Sequence, residues 1–345
     1  MIHSKRAVLH GLVLALALVP VACRKEAPKE TPKEAKPAEP ATATPPPGRP
    51  AGAKIKIAFS APSADHGWTG AISVNAKKQA ARYDDVEFSL TQAPTAADQV
   101  SQLNTIMMQK PDVLVILPQD ETVTPAALAA MKAGIPVINV DREFSDPGAQ
   151  RAVIKGDNYG VGFQAGQYFA SELKCKGNVV EIQGIAGISV TNQRTKGFAD
   201  AIAPCKGGIK IIAQQPADFA PDKGLSVMQN ILQAQPKIDA VYTHDDDMAQ
   251  GVVQAIKNAN RDKEMWLTGV GGSKAAMEQI KQGGLYRATF LYNPTMAASA
   301  VALARLLAKG QGLSDLTEPV IPNLIVMQAQ GVFKDNVDSY MAIGF

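Results

Sequence analysis

From Lys54 to Lys309, short apolar runs of strand length alternate with stretches of helix length, the pattern that repeated βα units on a parallel sheet produce. The runs Ile55–Phe59, Val86–Leu90, Val113–Leu117 and Pro136–Val140 predict four strands, with helices over about 71–82, 96–109 and 124–133 between them. A second series begins near Asp157. It predicts strands Asn178–Ile182, Ile209–Ala213, Ala240–Thr243, Met265–Gly269 and Arg287–Phe290 among helices over about 160–174, 194–203, 223–234, 248–258 and 275–282. A helix over 295–309 and a last apolar run, Leu324–Met327, follow, and this tail is expected to cross back between the two halves. The prediction is an α/β protein of two doubly wound parallel-sheet lobes with a cleft between them. With 345 residues and 46% hydrophobic content, the chain can fill two such cores.

The stretch Gly134-Ile135-Pro136-Val137-Ile138-Asn139-Val140-Asp141-Arg142 marks where such a chain would act. An apolar run after a Gly-x-Pro turn reads as a strand buried on both faces, and here it ends in an acid and a base. Open α/β sheets bind ligands outside the carboxyl ends of their strands. Asp141 accepts hydrogen bonds from hydroxyls and Arg142 offers a rigid fork of donors, a pair suited to a neutral polyhydroxy ligand. The same two residues would also make an ordinary surface ion pair, so this stretch alone leaves both readings open.

The amino terminus reads differently. Lys5 and Arg6 precede the apolar run Ala7–Ala22, which is too short to span a bilayer comfortably and matches an export signal over residues 1–22. Val21-Ala22-Cys23 resembles a bacterial lipobox, with Pro20 where Leu is preferred, and it predicts lipidation of Cys23, the alternative being ordinary export with an incidental cysteine. Residues 23–53, rich in Lys, Glu, Pro, Ala and Thr, read as a disordered spacer. Export places the rest in an oxidising compartment, and Cys175 and Cys205, each at the end of a predicted helix, are then expected to pair. A net charge of +3, with much of the Lys and Arg in the first 60 residues, leaves no basic face for nucleic acid. Three cysteines do not suggest a zinc site.

Several strand ends carry a shared signature: Asp65-His66-Gly67-Trp68, Asp141-Arg142, Asn192-Gln193-Arg194-x-x-Gly197-Phe198, Asp218-Phe219, and Asp239-Ala240-Val241-Tyr242-Thr243-His244-Asp245-Asp246-Asp247-Met248-Ala249. On these the chain resembles the periplasmic sugar-binding proteins of the ribose- and galactose-binding type over about residues 54–345. The resemblance implies the type I periplasmic binding protein fold, with a multi-strand hinge, an N-terminal lobe of 54–156 plus 291–318 and a C-terminal lobe of 157–290 plus 319–345. It implies that Trp68 stacks on the apolar face of a sugar with Phe219 on the opposite wall, although either ring could instead be a buried anchor. His66, Asp141, Arg142, Arg194 and Asp245 would meet hydroxyls, while Asp246 would cap the helix beginning nearby and Asp247 contribute to the same start. Arg194 lies in a predicted first turn, where the dipole slightly disfavours a cation, which favours a functional reason for it.

The chain departs from the family in three places. Thr268-Gly269-Val270-Gly271-Gly272-Ser273 lacks the family's hydroxyl-binding Asp, with Gly271 in its place. Leu291-Tyr292-Asn293-Pro294 replaces a glutamine, leaving Tyr292 or Asn293 to supply the contact. After the third strand only Gln119 stands in for an Asn. The His244–Asp247 run could suggest a metal, but consecutive residues at a helix start diverge and no second ligand cluster accompanies them, so no metal or other cofactor is expected. Together with the amino-terminal signal and lipobox, the resemblance implies an exported, lipid-anchored monomeric solute-binding protein. It would capture a neutral monosaccharide or polyol for an ABC transporter permease and touch the membrane through its anchor alone. The alternative is a sugar sensor that docks onto a chemoreceptor or sensor kinase. Catalysis is not expected: no nucleophile is paired with a base, and an Arg facing each Asp would keep the carboxylates ionised.

Overall fold

The computed structural model describes residues 52–64, 66–312 and 321–345. The export signal, Cys23, nearly all of the spacer and Asp65 lie outside these residues.

The first sheet is built from β1 (Ile55–Pro62), β2 (Val86–Ala93), β3 (Val113–Ile116), β4 (Val137–Val140) and β5 (Ala152–Gly156), joined by α1 (Gly67–Ala80), α2 (Ala96–Met108) and α3 (Thr124–Lys132). The chain then crosses to α4 (Asn158–Glu172) and a second series: β6 (Gly177–Gln183), α5 (Ser189–Ile202), β7 (Ile209–Pro216), α6 (Pro221–Ala234), β8 (Ala240–Thr243), α7 (Asp246–Asn258), β9 (Trp266–Gly271), α8 (Lys274–Gln282) and β10 (Tyr286–Leu291). It returns to the first lobe through α9 (Met296–Ala308) and β11 (Leu324–Met327), and ends in the second through β12 (Gly331–Phe333).

Strand order is β11-β5-β4-β3-β1-β2 in the first sheet and β12-β10-β9-β8-β6-β7 in the second. Every pairing is parallel except β10 with β12. Such sheets are stable only when covered on both faces. Leu103, Ile106, Ala127 and Ala130 of α2 and α3 cover one face of the first sheet, while Ile72 and Ala76 of α1 and Ala300, Val301 and Ala304 of α9 cover the other. In the second lobe, Phe169 of α4 and Phe198 of α5 pack on one face, and Met228, Val252 and Met277 of α6, α7 and α8 on the other. The α/β architecture of two doubly wound lobes read from the alternation is the one observed.

Strands β5, β11 and β12 differ from expectation. Strand β5 was not anticipated: Ala152-Val153-Ile154 is a brief apolar run, yet it pairs with β4 on one side and β11 on the other. Because Leu324–Met327 pairs with Val153–Gly156, the tail leaves the first lobe only after Met327, later than the expected boundary at 319. Three crossings therefore join the lobes, at β5–α4, β10–α9 and β11–β12. They are bonded to one another: Asp157 N–H donates to Met327 O at 2.9 Å and Leu291 N–H to Gln330 O at 2.8 Å.

Helices α4 and α5 approach so closely that a Cβ on Gly162 would stand 2.0 Å from the Arg194 carbonyl oxygen, and one on Gly197 2.1 Å from that of Tyr159. Cys175 and Cys205, just past the ends of the two helices, form a disulfide with their Cα atoms 5.0 Å apart.

Candidate functional site

The carboxyl ends of the two sheets face each other across a narrow cleft. His66, Trp68, Asp141 and Arg142 line it from the first lobe, and Val190, Arg194, Phe219, Asp245, Val270 and Gly271 from the second, with Tyr292 entering from the hinge. The structure thus brings eight of the nine residues expected to bind ligand to one place. Asn293 is the exception: its Oδ1 accepts from Thr295 N–H at 2.9 Å, at the start of α9. Gln119 is occupied elsewhere, donating through Nε2 to the carbonyls of Ala93 and Pro94.

In the first lobe, Asp141 leaves the end of β4 in a left-handed conformation, φ 67°. Aspartate tolerates this region better than most residues, and strained backbone of this kind gathers at ligand sites. Its Oδ1 accepts the Tyr292 hydroxyl, and its Oδ2 lies 4.0 Å from Arg142 Nε. The Arg142 fork is turned toward the chain, with Nη1 donating to Gln119 O at 2.7 Å. Trp68 belongs to the first turn of α1, which starts at Gly67, earlier than expected, and its indole N–H donates to Tyr292 O at 2.8 Å. The Tyr292 ring lies 5.7 Å from the Trp68 ring, a position open only because residue 156 is glycine, whose Cβ would fall 2.1 Å from the tyrosine ring.

In the second lobe, α5 begins at Ser189, so Arg194 sits in its second turn, buried, and the first-turn dipole argument for it does not hold. The turn before it, with Gly187 at φ +85°, lets the helix start five residues earlier than its apolar pattern suggests. Arg194 Nε donates to Asn158 Oδ1 at 3.0 Å, Nη1 donates to the His244 carbonyl, and the guanidinium lies 4.5 Å from the Tyr292 ring centroid. Asn158 in turn donates to the Tyr292 hydroxyl at 2.9 Å. Asp141, Tyr292, Asn158 and Arg194 therefore form one chain of polar contacts across the hinge. Nothing in the sequence singled out Asn158, although its place at the start of α4, after a crossing, is where such a link is needed.

Phe219 also has positive φ, 63°, which for a bulky residue is a strained conformation. Its ring packs over Gly184, whose Cβ would stand 2.0 Å away, and stacks 6.0 Å from His66 of the opposite lobe.

The four residues His244–Asp247 do four separate jobs. His244 is fully buried and its Nε2 lies 2.9 Å from Glu181 Oε1. Burial pushes the His244 pKa down against the pull of Glu181. Burial also opposes ionisation of Glu181, but hydrogen bonds from His244, Thr195 and Gln214 outweigh it and hold that carboxyl low. Asp245, not Asp246, caps α7: its Oδ1 accepts from the N–H groups of Asp247 and Met248 at 2.8 and 3.0 Å. Asp246 is buried and accepts four hydrogen bonds, from Gly272 N–H, Ser273 N–H, Tyr286 and Thr289. Asp247 reaches the other lobe, its Oδ2 accepting Gly67 N–H at 2.7 Å. On the opposite flank, Gln193 donates to Glu143 Oε2 at 2.8 Å and Glu143 N–H to Ser189 Oγ at 3.2 Å. The cleft is held shut on both sides.

Electrostatics correct one expectation. Arginines do not keep the cavity acids at ordinary values: burial pushes Asp141 up despite Arg142 and the Tyr292 hydroxyl, and pushes Asp245 up to about 7, with His66 its main counterweight. Desolvation outweighs pairing because both carboxyls are enclosed. Acids in this state gain from a ligand that donates hydroxyl hydrogen bonds to them.

A family model, the periplasmic binding protein domain, matches residues 57–312. The ribose import binding protein of Salmonella typhimurium is 33% identical over 233 residues, which cover 67% of this chain and 77% of that one. Among solved structures, an ABC transporter solute binding protein from Mycobacterium smegmatis with bound glycerol superposes with a TM-score of 0.75 at 29% identity, over 85% of this chain and 98% of its own. The fructose-binding periplasmic domain of a hybrid two-component system gives 0.76 at 30%, over 84% and 93%.

Proposed function

The chain belongs to the periplasmic binding protein family, and we propose that it captures a neutral sugar or polyol between its lobes and delivers it to an ABC importer. One observation carries the reading: a cleft between the lobes in which buried acids and arginines from both sides stand between aromatic rings. Trp68 and Phe219 suit the apolar face of a sugar ring. Asp141 and Asp245 suit hydroxyl donors, and Arg194 suits hydroxyl acceptors. Contacts from both lobes make closure a property of the liganded state, by hinge motion at the three crossings.

The working part is exported to the periplasm as a monomer and held to a membrane through Cys23. Mass spectrometry of the membrane fraction tests the anchor, which a diacylglyceryl adduct on Cys23 would establish and an unmodified mature terminus would refute. The ligand class is tested by a calorimetric panel of neutral monosaccharides and polyols against amino acids and phosphates. Binding confined to the latter groups overturns it. The likeness to the periplasmic domain of a two-component system favours a second reading, in which the closed form docks onto a receptor or sensor kinase. Uptake of the ligand abolished by deletion of the gene selects transport, whereas normal uptake with a lost transcriptional response selects sensing.

A further inference from the structure

The strand ends that border the cavity are unequal. The loop after β1 delivers His66 and Trp68, β4 delivers Asp141 and Arg142, β8 delivers Asp245, and β10 delivers Tyr292. Strand β9, between β8 and β10, delivers only Val270 and Gly271.

The backbone donors just past the strand are also engaged. Asp246 Oδ2 accepts the N–H groups of Gly272 and Ser273 at 2.8 and 2.7 Å, which removes the donors at the start of α8. The Gly271 carbonyl accepts Tyr292 N–H at 3.1 Å. Asp246 itself is saturated by Tyr286 and Thr289 as well, so it cannot turn toward the cavity without stranding four donors. Gly271 stands at φ +138°, and a Cβ there would meet the Phe345 ring at 3.2 Å, so the position resists any side chain that could restore a polar contact. A ligand hydroxyl pressed against this strand end would lose its water and meet no polar side chain of β9 to replace it.

We infer that the ligand carries a hydrogen or a methyl group, not a hydroxyl, where it meets the end of β9: it is a sugar or polyol with one deoxygenated edge. The inference rests on the sugar or polyol reading above and narrows it. An apolar pocket rejects an added hydroxyl only modestly, by up to about 10²-fold, because it lacks the unpaired polar groups that make rejection steep.

The experiment titrates the full chain calorimetrically with pairs of neutral sugars that differ by a hydroxyl or a hydrogen at one carbon. At one carbon the deoxy member is expected to bind as tightly as its partner or up to about 10²-fold tighter, while deoxygenation at the others weakens binding. Val270→Thr, close in shape and bearing a hydroxyl, is expected to shift that one pair toward the hydroxylated member more than any other pair. If the sugars bind but every deoxygenation weakens them, the inference falls while the parent reading stands. If no neutral sugar or polyol binds, both fall.

Discussion

The backbone N–H of Gly67, at the first residue of α1, donates to the Asp247 carboxylate in the first turn of α7 at 2.7 Å, so two helix starts from opposite lobes meet. The contact exists only when the lobes are together. Asp247 lines no part of the cavity, and its truncation therefore separates closure from ligand contact. Asp247→Ala is expected to raise the ligand dissociation rate roughly tenfold, in line with about 1.5–3 kcal/mol for a hydrogen bond to a charged group, partly offset by water in the open form. Stopped-flow fluorescence checks this, and an unchanged dissociation rate would show that the contact does not hold the cleft.

Tyr292 is expected to act through its hydroxyl as much as its ring. Tyr292→Phe removes the donor to Asp141 and the acceptor of Asn158 while keeping the packing against Trp68. Affinity should fall by about tenfold, since a buried acid and amide each lose a partner. Titration calorimetry measures the loss, and equal affinities for the two chains would contradict it.

Much of this was legible in the sequence, and the failures have physical causes. Alternating runs located both sheets, the end of β4 marked Asp141 and Arg142, and the resemblance to sugar-binding proteins marked His66 and Asp245. Strand β5 escaped because an interior strand flanked by β4 and β11 needs no length of its own to be stable. The cap of α7 falls on Asp245 and not on Asp246, which the sequence does not show because adjacent acids at a helix start look alike until the turn after β9 is seen to consume Asp246. Asn293 could not be told from Tyr292 for a similar reason, one residue deciding which side chain faces the cleft. The raised acids were invisible because enclosure depends on the opposite lobe.

Acid pH should stabilise the chain in its closed form. Asp245 has its pKa raised from 3.8 to about 7, so between those values the folded state holds a proton that the unfolded state has released. Stability therefore falls as pH rises through that window, and Asp141, also raised, adds in the same direction. The melting temperature is expected to drop between about pH 4 and pH 7 and to flatten in Asp245→Asn, and the gain on adding ligand should grow with pH. Identical pH profiles for the two chains would refute the assignment.

The disulfide should matter to stability and not to binding. Cys175 and Cys205 tie the far ends of α4 and α5, away from Asn158 and Arg194 near the starts of those helices. Replacing both by Ala is expected to cost about 2–4 kcal/mol in denaturant unfolding, with ligand affinity within about twofold of the parent. A large loss of affinity at full folding would mean that the bridge sets the position of Arg194.

The most direct test of the account is a calorimetric comparison of the full chain and its Asp141→Ala and Trp68→Ala variants across one panel of neutral sugars and polyols. The account predicts that the parent binds a member of the panel and that each variant, still folded by circular dichroism, loses at least about tenfold in affinity for it. Undiminished binding by both variants would contradict the claim that the ligand lies between the lobes at Asp141 and Trp68.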